Sequence, residues 1–183
     1  MGIITEQLLQ ICRDQKVSSC AFVRQEDIVY DDCCLDICKS NSCGNYGKCY
    51  ACPPYAESAE EMNARARSYP FGILYQTIGK IEDSFDYEGM QDAKKQHVIV
   101  SQRIHEAIRT LPVEIRHLGV GGCKICEQCT RPTGAPCRFP DRMLTAMEGF
   151  GIHVSATAKH AGLKYTNGMN TVTYFSMILY REE

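Results

Sequence analysis

Three cysteines at strict three-residue intervals, Cys123, Cys126 and Cys129, constrain this chain more than any other feature. A fourth, Cys137, completes a Cys-x2-Cys-x2-Cys-x7-Cys set. For four sulfurs to meet, the backbone must turn repeatedly, so residues 119–140 are predicted to be a loop and neither helix nor strand. Three thiolates at this interval wrap one side of a compact iron–sulfur cube, and the last comes from farther along the chain. Bacterial ferredoxins use the same triple with a distal Cys followed by Pro. Here Arg138 follows Cys137, and Pro140 comes two residues later. Zinc prefers two separated Cys-x2-Cys pairs around a tetrahedron, and the middle cysteine of a triple suits it poorly. The spacing therefore points to a 4Fe–4S cluster over zinc. Gly119, Gly121 and Gly122 precede the triple and allow backbone N–H groups to turn toward an anionic cluster.

A second concentration lies in residues 31–55, with Cys33, Cys34, Cys38, Cys43, Cys49 and Cys52. One complete set is Cys38-x4-Cys43-x5-Cys49-x2-Cys52. Cys33 or Cys34 could replace Cys49. Gly44, Asn45 and Gly47 supply bends. In Cys52-Pro53-Pro54, proline removes an N–H and turns the chain away from a metal centre. These residues predict a second 4Fe–4S cluster. The two sets differ in spacing, so they are not a duplicated ferredoxin module.

Twelve cysteines in 183 residues would suggest disulfides in a small secreted chain. The start of this sequence carries Glu6 and Asp14 in a helical pattern and lacks a basic, cleavable leader. Gly2 is not followed by a myristoylation motif, because Glu6 stands at the Ser/Thr position. A cytoplasmic location is therefore expected, and there clustered cysteines bind metal or do redox chemistry. A net charge of −2 gives no reason to expect nucleic acid or an anionic membrane as partner. The apolar runs are too short to span a bilayer.

The remaining pattern predicts a single mixed α+β domain over residues 1–183, a small sheet of three to four strands with packed helices. Helices are expected at 3–15, from the Ser58–Glu61 capping box to about 68, at 90–111 before Pro112, at 141–147 behind Asp141, and at 154–161. Strands are expected at 71–79, 113–120 and 171–180, with a hairpin or strand and turn within 21–30. The last strand is apolar on both faces and is predicted to be central.

Other titratable residues read as structural. His117 fits a buried, hydrogen-bonded core histidine. His153 and His160 lack ligands at metal spacing. Cys12 and Cys20 fit small buried apolar positions. Lys48, Arg131 and Arg138 flank the thiols and would raise a cluster's potential if they face it. Glu148 is expected to orient Arg138 or face water. No dinucleotide fingerprint, P-loop or nucleophile–base constellation is present.

Taken together, the motifs resemble a family of bacterial and archaeal proteins described as predicted metal-binding proteins, a domain of unknown function. The residues that carry the resemblance in the first half are Cys38, Cys43, Asn45-Tyr46-Gly47-Lys48 and Cys52-Pro53-Pro54. In the second half they are Gly121-x-Cys123-x2-Cys126-x2-Cys129, Cys137-Arg138-x-Pro140, Met147-Glu148-x-x-Gly151-Ile152 and Thr173-Tyr174-Phe175. The family's first motif looks like two spaced cysteines, Tyr-Gly-Lys, an aromatic position filled here by Tyr50, then Cys-Pro-Pro. Cys49 is an addition to it. The resemblance implies metal or iron–sulfur binding without an assigned reaction. The expected role is one-electron transfer with a redox partner protein. The alternatives are an enzyme or a corrinoid- or substrate-linked accessory protein with an open cluster site, and a zinc-stabilised interaction module.

Overall fold

The computed structural model describes residues 2–41, 43–54 and 57–182. The first helix, α1 (Ile3–Asp14), places Leu8, Leu9 and Cys12 on a buried face. Strand β1 (Ser19–Arg24) ends in a short 3₁₀ turn. Helix α2 (Asp32–Lys39) follows, then α3 (Ala59–Arg67), β2 (Phe71–Lys80), α4 (Tyr87–Ile108), β3 (Glu114–Leu118), α5 (Val154–His160) and β4 (Thr171–Arg181). The four strands form one antiparallel sheet in the order β1-β2-β4-β3. The result is the expected mixed α+β fold, with β4 central as its two apolar faces require.

Strand alternation divides the core. One face presents Leu74, Leu118, Phe175, Met177 and Leu179 to α3, α5 and the 147–150 turn. The other presents Ile73, Tyr75, Ile178 and Tyr180 to α1 and α4. Helices thus cover both faces, and the register pairs Leu74 with Met177 and Ile73 with Ile178.

The second face also carries a buried polar network. Tyr75 Oη lies 2.7 Å from His117 Nε2 and donates to Ser101 Oγ at 2.8 Å. His97 lies 2.8 Å from both Thr77 Oγ1 and Ser176 Oγ. These bonds tie α4 to three strands, and His117 takes the core position its sequence suggests.

Three local elements differ from expectation. Residues 32–39 are helical despite the neighbouring Gly/Asn/Pro-rich stretch, because Asp31 Oδ1 accepts the Cys33 N–H at 2.9 Å and caps the helix. Helix α4 starts at Tyr87, where Asp86 accepts from the Gly89 N–H. The predicted helix behind Asp141 is instead two 3₁₀ turns, Pro140–Arg142 and Met147–Phe150, separated by extended backbone that pairs Ala146 with Gly119. The capping box is as expected: Ser58 Oγ accepts from Glu61 N at 3.2 Å, and Glu61 returns a bond to Ser58 N at 3.0 Å.

Burial lowers the pKa of His97 to about 4 and holds His117 well below the usual 6.5. As pH falls from 6.5 to about 4, the unfolded chain binds protons that the folded chain refuses, so stability is lost across that window. His97 alone accounts for about 3 kcal/mol at the acid end. Melting temperatures measured between about pH 7 and pH 4.5 should fall with acid. They should fall less steeply in His97→Gln, which keeps hydrogen-bonding atoms near Thr77 and Ser176. Equal slopes would show that His97 titrates normally.

Candidate metal centre

The second cysteine loop leaves the end of β3 and is clamped where it begins and ends. Gly119 N–H donates to Thr145 O at 2.8 Å, and Met147 N–H donates to Gly119 O at 3.3 Å. A side chain at Gly119 would meet Leu144 Cβ at 2.9 Å, so this close crossing needs glycine. From α4, Gln102 Nε2 donates to Arg142 O at 3.0 Å and His105 Nε2 sits 2.7 Å from Asp141 O. Between these anchors the chain curls through the 3₁₀ turn Arg131–Thr133.

Cys123, Cys126, Cys129 and Cys137 line one cavity of about 20 Å³, with Tyr50, Ala51, Ile125, Phe139 and Met143 among its walls. Tyr50 belongs to the first loop and crosses over, its hydroxyl donating to Ala135 O at 2.8 Å. The Arg131 guanidinium lies over the Tyr50 ring. Arg138 lines the cavity and donates to Gln128 O at 3.2 Å. Burial raises the Cys123 pKa, and the neighbouring sulfurs raise it further.

The first loop descends from α2 and turns through Asn41, Gly44 and Gly47, all at positive φ. Gly47 N–H donates to Pro53 O at 2.9 Å and closes the bend. The Pro53–Pro54 peptide is cis. Cys38, Cys43 and Cys52 line a second cavity of about 290 Å³. Its opposite wall carries Lys94 of α4, Gly121, Gly122 and Glu148. Burial raises the Cys38 pKa, with Cys43 and Glu148 adding to the effect.

The remaining cysteines of this loop lie elsewhere. Cys49 Sγ is 3.2 Å from Cys52 Sγ, close enough to share a proton. The Cys49 sulfur also accepts N–H groups from Cys123, Ala51 and Cys52, so its pKa is held down and that of Cys52 is pushed up. Cys33 is exposed beside the Asp31 cap. Cys34 is buried, and desolvation pushes its pKa up to about 12. Cys12 is fully buried in the second core face, and Cys20 packs beside it.

The two loops form one body. Cys49, Ala51 and Cys52 pack against Cys123, Cys129 and Met143, and Ala51 lines both cavities. A side chain at Gly122 would strike Asn45, 2.5 Å from its Cγ. Among the described residues, no three Cys, His, Asp or Glu side chains converge closely enough to hold a single ion. A tetrahedral zinc site would draw its sulfurs to about 3.8 Å from one another, given zinc–sulfur bonds near 2.3 Å. Four thiols lining one cavity are a donor type that both zinc and iron–sulfur centres use.

A family model described as "Predicted metal-binding protein (DUF2284)" matches residues 21–180. The chain belongs to that family. The match spans both cysteine loops and nearly all of the sheet, so the metal-binding description covers the region that holds both cavities. No curated protein and no solved structure matches the chain. No helix among the described residues is long and apolar enough to cross a membrane.

Lys94 is the site residue that sequence reading missed, and Glu148 is exposed, one of its two expected placements, while also lining the first-loop cavity. Lys94 comes from α4 with no local signal, and only the packing of that helix brings it to the cavity. Glu148 lies on the first-loop cavity, whereas Arg138 lines the other.

Gly122→Ala should separate the loops. The overpacking against Asn45 is expected to cost about 1–3 kcal/mol. A thermal melt of the variant should show that loss, together with less bound metal per chain; an unchanged melt and metal content would mean that Asn45 yields freely.

Proposed function

We propose that the chain carries two iron–sulfur clusters and passes single electrons between them and a redox partner protein. The observation that carries this reading is the shared cavity of Cys123, Cys126, Cys129 and Cys137. There a Cys-x2-Cys-x2-Cys run and a distal cysteine line one cavity, the donor arrangement of a 4Fe–4S centre. On this reading those four thiolates hold one 4Fe–4S cluster. Cys38, Cys43 and Cys52 hold the other, with Cys49 the further cysteine in the same loop. Such clusters supply one-electron oxidation and reduction when bound.

The chain's own residues set the conditions. Crowded thiols with raised pKa values favour a bound cation, which takes the place of their protons. Apolar walls of Ile125, Phe139 and Met143 limit water at the second-loop cavity. The Arg138 guanidinium on that wall offsets negative charge and would raise the potential. Ala51, common to both cavities, makes the path between the two centres short.

A second reading, a cluster with one iron open to a small molecule, is favoured by one observation. Three thiols, not four, line the first-loop cavity among the described residues. That cavity is also the larger of the two, with room beside the thiols.

Protein purified without air should be brown, contain iron and sulfide, and bleach on reduction. Cys126→Ser should remove about half of the iron, as expected for loss of one of two cubes. Colourless protein with stoichiometric zinc would overturn the proposal in favour of a zinc-stabilised module, whose folding would then depend on metal.

A further inference from the structure

We propose that the Glu148 carboxylate, not a fourth cysteine, is the fourth protein ligand of the centre held by Cys38, Cys43 and Cys52. This rests on the reading that these three thiols hold a cluster. The cavity itself makes the case. Its titratable walls are Cys38, Cys43, Cys52, Lys94 and Glu148. None of the three rival cysteines shares it. Cys49 lies behind Cys52 and packs toward Cys123 and Cys129 in the other loop. Cys33 is exposed at the start of α2, where its N–H is bound to the Asp31 cap. Cys34 is buried and lines neither thiol cavity.

Glu148 is exposed, and it lines the thiol cavity from a fixed turn. It projects from the Met147–Phe150 turn, whose Met147, Gly149 and Phe150 are all buried. Three backbone bonds fix the turn: Met147 N–H to Gly119 O at 3.3 Å, Gly149 N–H to Ala146 O at 3.0 Å, and Gly151 N–H to Glu148 O at 3.0 Å. Gly119 opens the second cysteine loop, so one strand end positions both the triple and this carboxylate. No salt bridge reaches Glu148 among the described residues, although Lys94 shares its cavity. Among the described residues, the carboxylate therefore gives the cavity its one oxygen donor of negative charge beside three thiols. Iron accepts carboxylate oxygen as well as thiolate sulfur. An oxygen-held iron is the more exchangeable corner of a cube, and in this site it would face the open part of the cavity.

The test uses the full chain, purified and reconstituted without air, with ferricyanide as the probe. Ferricyanide takes one electron, the labile iron leaves as Fe²⁺, and a paramagnetic three-iron core remains. The wild type should give that three-iron signal by electron paramagnetic resonance. Glu148→Cys should suppress it several-fold, because the corner then has a thiolate. Glu148→Ala should lose that iron as Fe²⁺ before any oxidant is added, leaving one iron fewer per chain and a reduced three-iron core whose signal appears once one electron is removed, with circular dichroism like that of the wild type. Cys49→Ser should match the wild type in iron content and signal. The proposal is overturned if Cys49→Ser gives the three-iron form unprompted while Glu148→Cys oxidises like the wild type. Wild-type protein lacking iron would instead overturn the cluster reading itself, and this inference with it.

Discussion

The contact between the two cysteine loops is what the rest of the molecule is arranged to hold. Cys49, Ala51 and Cys52 on one side and Cys123, Cys129 and Met143 on the other form a small buried cluster outside both faces of the sheet. Sulfur packs well as a soft, weakly polar group, so these thiols can be buried without strong hydrogen-bond partners. Seven of them lining two adjoining cavities is another matter. Each deprotonation makes the next harder, so the arrangement favours positive charge between the sulfurs. The backbone allows the approach because Gly122 has no side chain to meet Asn45.

Holding such loops requires stiff supports, and the sheet provides them. Strand β4 is paired on both sides, and its residues 175–180 are fully or almost fully buried. Helix α4 does two jobs along its length. One face carries His97, Ser101, Ile104 and Ile108 into the core, where the polar network fixes its position against the strands. Another face sends Lys94 to the first-loop cavity and Gln102 and His105 to the carbonyls of the second loop. A shift of α4 would therefore disturb both cavities together. Gly119, at the end of β3, is the corresponding hinge on the sheet side, bonded to Thr145 and Met147.

This geometry gives the two cavities different characters. The second-loop cavity is small and closed by apolar side chains around four thiols, as suits a group that exchanges electrons and nothing else. The first-loop cavity is larger, with three thiols facing a lysine and a carboxylate. A centre there has room for something other than sulfur. Ala51 forms a wall common to these two environments.

Much of this was readable from residue order. The triple at 123, 126 and 129 announced a loop and its chemistry, and the alternation of β4 announced a central strand. Those signals are local: spacing of ligands and period of apolar residues are properties of a short stretch of chain. The 32–39 helix was hidden because its Asp31 cap sits beside a run of turn-forming residues, and the 141–147 segment misled because Asp141 is also a good cap with no helix behind it. The partition of the first-loop cysteines was a different kind of unknown. Cys38, Cys43, Cys49 and Cys52 look alike in sequence, and only the curvature of the loop against its neighbour sends Cys49 to the far side of Cys52. Lys94 and Glu148 stand 42 or more positions from those cysteines in the chain and meet them only through the packing of α4 and the 147–150 turn. Sequence thus determined which atoms are available to bind metal; tertiary structure decided which of them share a cavity, because that depends on the approach of segments that carry no information about one another.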